Sequence, residues 1–466
     1  MKGEFIINNY RSKRFGDKYF VTTDHGSYAI LTKDEFKRLK QEKIDGKIYS
    51  KLEEREIILT ERNVKEAIEN TRKRNSFLFS GTSLHIIVTT LRCNMKCVYC
   101  HASSVPESSE GYDMEKETAK KTVDFIFQSP SPCITIEFQG GEPLLNWPIV
   151  KYIVDYSNEK NRTAQKDLVM SIVTNFTAMD MEKLDYLLKN KVRICTSLDG
   201  PKELHDSNRI LKGNSSYDEV VKWIKILREE YEKRGINREA DALITLTKKS
   251  MKHPKEIVDE YVRLGIKTLH LRFLNNIGIA QRNWHDISYS PEEYITFWKE
   301  AVTYINEVKK RGIKISEKMV RIMTDKIGGK EDPNYAELRS PCGAAIGQIV
   351  YNYNGDIYSC DEARMIGDDL FLLGNVKKDS YKDILTSDKT CGIVLSSIND
   401  QFVCDECVYK PYCGVCPVCN YTEQGSVIGK ISQTNRCKIF KQQFDWVVRE
   451  IFINKGSLNN RENKRG

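Results

Sequence analysis

The sequence predicts an α/β protein built on a partial (β/α)6 barrel of the TIM type, with a winged-helix-like module before the barrel and a cysteine-rich domain after it. Three observations lead to this prediction. Apolar strand-like runs alternate with amphipathic helical stretches between Leu84 and Leu274. Two strand-like runs followed by helices occupy the first 80 residues, and most of the 14 cysteines fall in tightly spaced groups.

A chain of 466 residues is long for a single core, so several domains are expected. We divide it into a winged-helix-like module (1–80), the barrel (81–280), a helical connection (281–335), the cysteine-rich domain (336–440), and a C-terminal helix with a basic tail (441–466).

The N-terminal module begins with two strand-like runs, Lys18–Thr23 and Ser27–Thr32, that a short turn around His25 joins into a hairpin. Thr32 and Glu35 then have the spacing of a capping box, which starts a helix running to about residue 41. Further helical periodicity begins near residue 48 and again spans 61–74. Strands followed by helices in so short a segment suit a small winged-helix-like fold.

The barrel prediction rests on six strand-like runs separated by amphipathic stretches such as 114–127, 181–188, 218–231 and 255–264. The strands are predicted at Leu84–Thr90, Ile134–Gln139, Val169–Thr174, Val192–Ser197, Ala242–Leu246 and Thr268–Leu274. This alternation indicates a parallel sheet with right-handed crossovers, and six units fall short of a closed eight-stranded barrel. Because functional groups gather where such strands end, we expect the motifs that follow four of them to meet at one edge of the sheet.

Composition excludes several classes of protein. The net charge of +8 comes from 73 basic and 65 acidic residues spread along the chain, without a basic stripe that would bind nucleic acid. The tail ending in Arg461, Lys464 and Arg465 is expected to stay solvated. No signal peptide or membrane-length apolar run is present, so we expect a cytoplasmic protein without a membrane partner.

In a reducing compartment, clustered cysteines indicate metal or cluster ligation rather than disulfides. Cys93, Cys97 and Cys100 form CxxxCxxC, and three thiolates leave one iron of a [4Fe–4S] cluster open for a small molecule. A zinc site is the alternative, but it usually takes four protein ligands, and His101 is poorly placed to be the fourth. The isolated cysteines are expected to be small buried apolar residues: Cys133, Cys195 and Cys391.

A second dense group lies near the C-terminus, where two CxxC pairs taken alone also fit a zinc ribbon: Cys404, Cys407, Cys413 and Cys416, with Cys419 and Cys437 behind them. Upstream, Cys342 and Cys360 flank a strand-turn-strand pattern with Asn354-Gly355 at its turn.

The CxxxCxxC spacing with Tyr99 before its last cysteine resembles the signature of radical S-adenosylmethionine (SAM) enzymes. Gly140-Gly141-Glu142-Pro143 is similar to their GGEP motif, which implies that Gly140, Gly141 and Glu142 contact the SAM amino group. The resemblance also implies roles for Asn175 and Ser197 at the SAM ribose and carboxylate, and for Arg209 at the carboxylate. In this family the cluster reductively cleaves SAM, and the 5′-deoxyadenosyl radical removes a substrate hydrogen.

The C-terminal cysteines resemble a SPASM domain, which implies two auxiliary [4Fe–4S] clusters and three in total. Carried over by position, Cys342, Cys360 and Cys416 hold the first, and the second is held by Cys404, Cys407, Cys413 and Cys437. The pair Cys413–Cys416 is spaced CxxC here instead of CxxxC, and Cys419 is an extra cysteine. The sequence therefore leaves two points undecided: which of Cys416 and Cys419 ligates, and whether the first auxiliary cluster has an open site.

Asp361 directly follows Cys360, and in anaerobic sulfatase maturases an Asp at this place is a general base; a capping or solvated Asp is the alternative. Overall the chain looks most like maturases of ribosomally made peptides, among them the His-Xaa-Ser-associated group. That resemblance implies a precursor peptide whose leader docks on the N-terminal module near Tyr19–Leu31, and a reductant such as flavodoxin or ferredoxin. The alternatives are a sulfatase maturase forming formylglycine and, from another class, a zinc-bearing regulatory or nucleic-acid-binding protein.

Overall fold

The N-terminal module is an antiparallel three-stranded sheet with helices packed on it. A computed structural model describes residues 5–329 and 332–454. The sheet contains Tyr10–Phe15, Lys18–Thr23 and Tyr28–Thr32, and the helices are Lys33–Lys40, Gly46–Glu54 and Val64–Arg74. The predicted hairpin and the capping box of Thr32 and Glu35 are confirmed. The module has its own small core, but Phe15 and Phe20 are buried in the main core of the protein instead.

The barrel is the expected set of six parallel strands, hydrogen-bonded in chain order. They span Leu84–Thr90, Cys133–Gly140, Asp167–Val173, Arg193–Ser197, Asp241–Thr245 and Leu271–Arg272. Apolar faces of the crossover helices cover them: Lys116–Ile126, Trp147–Ala164, Met181–Lys189, Ser216–Lys233 and Pro254–Arg263. All six strands run the same way, so their carboxyl ends form one edge, where the predicted motifs lie.

The sheet does not stop at the first barrel strand. The hairpin of the cysteine-rich domain, Gln348–Tyr351 and Asp356–Tyr358, joins it, with Gln348–Tyr351 parallel to Leu84–Ile87. Leu372–Asn375 adds a further strand, which makes a nine-stranded sheet. We expected a hairpin belonging to a separate domain; the two parts instead share a continuous backbone ladder.

The helical connection and the C-terminal helix pack together behind the barrel. The connection contains Trp284–Ile287, Pro291–Lys310 and Lys318–Gly328, and the C-terminal helix is Asn435–Val447. Trp298 and Trp446 pack edge to face at 5.4 Å where the two long helices meet. The predicted basic tail lies outside the described residues.

Among the helices of the described segments, none combines the length and the apolar character needed to cross a bilayer. The expectation that the isolated cysteines are buried is wrong for two of them, because Cys133 and Cys391 are exposed. Cys133 opens a strand at its solvent end, and Cys391 lies on the outer face of the helix Asp388–Ser396. Cys195, inside a barrel strand, is partly buried.

Candidate functional site

The cysteine loop follows the first barrel strand and is tied down on both sides. Its short strand Arg92–Cys93 pairs with Val105–Pro106, and its short strand Met95–Cys97 pairs with Arg209–Leu211. The Cys93 sulfur accepts a hydrogen bond from the Met95 backbone N–H at 3.4 Å. The loop is therefore held in a defined path by backbone hydrogen bonds.

The thiols of this loop lie close enough to affect one another's ionisation. Burial raises the pKa of Cys97 to about 12, and it also raises that of Cys93, with a further contribution from neighbouring Cys97. Thiolates formed so close together need a compensating cation, which is the condition a bound metal cluster meets. The donor set of three cysteines at this edge therefore fits an iron–sulfur cluster with an open iron.

Gly140 and Gly141 let the GGEP turn pack directly against the start of the cysteine loop. A Cβ atom on Gly140, whose φ is +140°, would lie 2.2 Å from the Thr90 carbonyl oxygen. A Cβ on Gly141 would lie 2.2 Å from the carbonyl oxygen of Arg92. In this arrangement the N–H of Gly141 donates to Thr90 at 2.9 Å and that of Glu142 donates to Arg92 at 2.8 Å. The glycines thus couple the second strand's turn to the cysteine loop.

Glu142 is a fully buried carboxylate held by neutral donors. It accepts hydrogen bonds from the Thr174 hydroxyl at 2.7 Å, the Asn175 N–H at 2.7 Å and the Leu144 N–H at 3.1 Å. No arginine, lysine or histidine of the described residues pairs with it, and burial raises its pKa to about 7. An ammonium group would supply the missing cation, so the residue fits the amino group of SAM.

Asn175 brings this carboxylate together with the cysteine loop. Its backbone binds Glu142, and its side-chain amide lies 3.7 Å from the Cys93 sulfur and 3.3 Å from the Asn94 side-chain oxygen. Ser197 is the last residue of the neighbouring strand and is partly buried. The structure thus gathers Cys93, Glu142 and Asn175, with Ser197 one strand further along the same edge.

A buried network beside the cysteine loop was missed in the sequence. The Asp199 carboxylate accepts hydrogen bonds from the Tyr99 hydroxyl at 2.5 Å and from Arg209 Nε at 3.3 Å. The Arg209 guanidinium also lies 3.9 Å from the Cys97 sulfur and 5.3 Å from the Tyr99 ring centre. Asp199 closes the fourth barrel strand within Ser-Leu-Asp-Gly, and its place at a strand end was the available signal. Arg209 therefore has an internal partner, and its predicted contact with SAM stays a prediction.

The second cysteine set surrounds a cavity. A space of about 260 Å³ is lined by all four predicted ligands of the second auxiliary cluster: Cys404, Cys407, Cys413 and Cys437. Cys416 and apolar side chains, among them Val403 and Phe444, also line this space. Burial raises the pKa of Cys404 to about 11, with further contributions from Cys437 and Cys407. An enclosed, largely apolar space ringed by thiols fits a cluster.

The remaining cysteines form a third group beneath the hairpin. Cys342, Cys360, Cys416 and Cys419 are near one another, and the Cys419 N–H donates to the Cys416 sulfur at 3.4 Å. A hydrogen bond from the Cys419 side chain lowers the pKa of Cys416. The structure therefore places both of the cysteines that the sequence left as alternatives at this group.

Asp361 begins the helix Asp361–Ile366, which the Cys360 sulfur caps at Ala363 N–H. Its carboxylate lies 3.5 Å from the Arg364 guanidinium, its Oδ1 atom has no hydrogen-bond partner among the described residues, and burial raises its pKa to about 6. The helix touches the segment after the cysteine loop, where Arg364 binds the Ala102 carbonyl at 3.2 Å. Asp361 thus lies between the third cysteine group and the barrel.

Within residues 5–329 and 332–454, no three His, Cys, Asp or Glu side chains converge tightly enough to hold a single metal ion. A cubane cluster has no such requirement, because each thiolate ligates a different iron atom.

Two family profiles match the chain. That of the radical SAM superfamily matches residues 87–260, and that of SPASM, an iron-sulfur cluster-binding domain, matches residues 342–420. Between them these segments contain ten of the eleven clustered cysteines, and Cys437 alone lies beyond them.

Similar proteins cover most of the chain. The cysteine-type anaerobic sulfatase-maturating enzyme of Clostridium perfringens strain 13 is 25% identical over 375 residues, which are 78% of this chain and 95% of that enzyme. The antilisterial bacteriocin subtilosin biosynthesis protein AlbA of Bacillus subtilis strain 168 is 27% identical over 395 residues, which are 82% of this chain and 78% of that protein. The solved structure of native anSMEcpe with bound AdoMet and Cp18Cys peptide superposes with a TM-score of 0.66 at 22% identity, covering 81% of this chain and 99% of that chain. At this identity the superposition establishes a shared fold.

Proposed function

We propose that this chain, which is a radical SAM enzyme with a SPASM iron–sulfur domain, is a maturase that oxidatively modifies, and in particular crosslinks, a ribosomally made precursor peptide. The observation that carries the peptide part of the proposal is a cavity of about 660 Å³ beside the edge strand of the N-terminal module. AlbA, whose name assigns it to the biosynthesis of a bacteriocin, provides the second line of support.

The cavity has the features of a peptide groove. Tyr28–Thr32 is one of the two outer strands of the three-stranded sheet, so one of its backbone edges pairs with no other strand of the described chain. The cavity is lined at that strand by Ser27 and Tyr28, and opposite by Glu66 and Asn70 of the helix Val64–Arg74. An extended leader peptide would add to the strand through main-chain hydrogen bonds, while the helix contacts its side chains.

At the barrel edge we assign the SAM-binding cluster to Cys93, Cys97 and Cys100. Glu142 would receive the ammonium group of SAM, Asn175 and Ser197 its ribose and carboxylate, and Arg209 the carboxylate. When bound, the cluster and SAM supply hydrogen-atom abstraction from a substrate carbon. The chain's own contribution is to orient SAM at this edge and exclude water from it.

We assign two auxiliary clusters to the SPASM domain. One is held by Cys404, Cys407, Cys413 and Cys437. The other takes Cys342, Cys360 and Cys416, and we propose Cys419, whose backbone N–H donates to the Cys416 sulfur, as its fourth ligand. Electrons would come from a small reductant such as flavodoxin or ferredoxin.

The experiment is co-expression with the small open reading frames encoded beside the gene, followed by mass spectrometry of the peptides. Loss of two hydrogens indicates a crosslink, unchanged mass with altered chirality indicates epimerisation, and aldehyde reactivity indicates formylglycine. Glu66→Trp, which fills the groove, should reduce peptide conversion at least tenfold without changing peptide-independent SAM cleavage. Glu69→Trp, on the same helix but outside the cavity lining, is the matched control. Equal conversion by both variants would refute the groove.

The second candidate function is sulfatase maturation. It is favoured by the sulfatase-maturating relative and by Asp361, a buried carboxylate beside the barrel whose Oδ1 accepts no hydrogen bond in the described chain. We propose Asp361 as the general base in that case. Incubation with a sulfatase-derived peptide would then yield formylglycine, and Asp361→Asn would reduce product at least a hundredfold while retaining SAM cleavage.

A further inference from the structure

The N-terminal module is seated on the loop that carries the second cysteine set. This loop, residues 404–413, contains three of the five cysteines that line the 260 Å³ cavity. Its backbone carbonyls at Asp405, Val408 and Pro411 are all bound by side chains of the N-terminal module. Each of these three carbonyls lies within two residues of a cysteine.

Two of the three contacts come from the sheet of the module. The Thr22 hydroxyl, which is fully buried, donates to the Val408 carbonyl at 2.8 Å, next to Cys407. The buried Arg11 donates from Nε to the Asp405 carbonyl at 2.5 Å, next to Cys404. Asp24 holds the same guanidinium at 2.7 Å, so Arg11 is oriented by its own module before it reaches the loop. The Val408 carbonyl lies in this buried contact, where no water replaces a lost donor.

The third contact involves Arg74, at the end of the module's last helix. Arg74 Nη1 donates to the Pro411 carbonyl at 2.6 Å, and the guanidinium lies 5.3 Å from the ring centre of Tyr412, the residue before Cys413. Tyr412 in turn donates its hydroxyl to the Gly26 carbonyl at 2.8 Å. A Cβ on Gly26 would lie 2.2 Å from the Arg74 guanidinium, so glycine makes room for this brace.

We propose that the N-terminal module is a structural part of the second auxiliary cluster site: Arg11, Thr22 and Arg74 hold the backbone between Cys404 and Cys413 in the path that lets three thiols face one cavity. The inference rests on the proposed assignment of a cluster to this cavity. It adds to peptide recognition a second role for the module, that of a positioning element. Arg74 belongs to both, because it also lines the proposed peptide groove.

One consequence is that removal of residues 1–80 is not a clean test of peptide recognition. The truncation deletes all three donors along with the groove, so it would lose the second auxiliary cluster as well as the leader site. Point variants in the full chain separate the two roles.

The test compares Thr22→Val with Thr22→Ser in the full-length, anaerobically reconstituted protein. Valine keeps the shape but removes the donor, and serine restores it. Arg14→Gln is the control, because Arg14 is exposed on the neighbouring strand and, among the residues that the structure describes, donates to the nearby Gly16 carbonyl alone. The measurements are iron per chain, the rate of iron loss to a chelator, and the reduced-state EPR spectrum. Peptide-independent SAM cleavage verifies that each variant is folded.

We expect Thr22→Val to lose one set of EPR signals and to release its iron about tenfold faster than wild type, because the loss of one buried hydrogen bond changes an equilibrium constant by about tenfold. The double variant, Thr22→Val with Arg11→Gln, should show a larger effect. Thr22→Ser and Arg14→Gln should match wild type. Unchanged iron release and spectrum in the double variant would overturn the proposal. If the wild-type EPR spectrum contains no signal that is lost on replacing Cys404 and Cys407, the cluster assignment itself is overturned. That result differs from a failure of the proposed positioning role.

Discussion

At the scale of single residues, the site depends on groups whose partners are incomplete inside the protein. Glu142 accepts three hydrogen bonds from neutral donors and meets no cation in the described chain. Burial raises its pKa to about 7, whereas an exposed glutamate titrates near 4.5. The folded protein without ligand therefore keeps this proton over a range in which the unfolded chain has lost it, and stability contributed by the neutral form falls as the pH rises from about 4.5 to 7.

The first prediction concerns Glu142→Gln. Because SAM presents an ammonium group, the wild-type affinity for SAM should rise as the pH increases from 6 to 7.5 and the carboxyl ionises. Glu142→Gln should bind SAM at least tenfold more weakly at pH 7.5, since it loses a charge-assisted hydrogen bond, and should show no such rise. Equilibrium dialysis across this range measures both. A variant whose pH profile parallels that of wild type would contradict the assignment.

The second prediction concerns Gly141→Ala. Its new Cβ would meet the carbonyl oxygens of Arg92 and Leu91 at 2.2 and 2.5 Å, so the GGEP turn and the cysteine loop must move apart. We expect a loss of about 1–3 kcal/mol in the free energy of unfolding and reduced iron at the cysteine loop. Gly392→Ala is the control, because it lies within a helix with nothing within 4 Å and should be neutral or stabilising by up to about 1 kcal/mol. Thermal unfolding and iron assays distinguish the two.

At the scale of secondary-structure elements, the parallel pairing of Gln348–Tyr351 with the first barrel strand joins the two domains. A buried hydrogen bond crosses this pairing between the Tyr351 hydroxyl and His85 Nδ1 at 2.9 Å, while His85 Nε2 binds the Thr82 carbonyl at 3.2 Å. Burial lowers the pKa of His85 to about 3, so the ring is neutral. Its Nδ1 atom therefore accepts a hydrogen bond from the Tyr351 hydroxyl.

The third prediction is that Tyr351→Phe lowers the free energy of unfolding by about 1–3 kcal/mol, because it leaves the buried His85 nitrogen without a donor. Tyr353→Phe, at a half-buried position just after the same strand, should change it by less than about 0.5 kcal/mol. Denaturant titration of the two variants under identical anaerobic conditions measures the difference. Equal stability would show that the tyrosine hydroxyl contributes nothing to the joined sheet.

At the scale of the whole molecule, the cysteine loop lies at the mouth of the barrel, whereas the other two cysteine groups share the segment 404–419, and Cys416 of the third group also lines the cavity of the second. Loading the cysteine loop should therefore not depend on loading the other two groups.

The fourth prediction follows from this separation. Replacing Cys93, Cys97 and Cys100 together by alanine should abolish reductive SAM cleavage and leave about two-thirds of the iron, because the auxiliary ligands are untouched. Iron analysis and EPR spectroscopy of the purified variant provide the measurement. Loss of all iron would show that the three groups assemble cooperatively.

Much of this organisation is predictable from sequence, because the barrel strands bury at least one face and read as short apolar runs. Their boundaries agree with the structure within about two residues, except at the last strand, where only Leu271–Arg272 of Thr268–Leu274 joins the sheet. Contacts between distant segments are not predictable in this way. Gln348–Tyr351 pairs with a strand some 260 residues earlier, and local periodicity contains no information on that partner. Tyr10–Phe15 was overlooked because its charged side chains, among them Arg11 and Lys13, bind the C-terminal region instead of forming an apolar face. The Asp199 network was missed because Tyr99, 100 residues away in the chain, meets Asp199 only in the folded structure.

Under the proposed cluster assignment, the continuous sheet also constrains electron exchange between the cluster of the cysteine loop and that of the third cysteine group. Since the hairpin shares a backbone ladder with the barrel, the spacing between the cysteine loop and the third cysteine group is set by hydrogen bonds between strands and not by a hinged domain interface. Opening and closing of the domains would then not change the distance between these two sites, and so would not gate electron transfer between them. The rate of electron transfer would then be controlled by the difference in reduction potential between the two clusters at a constant distance. A charged or water-excluding substrate that binds beside either cluster would change that difference.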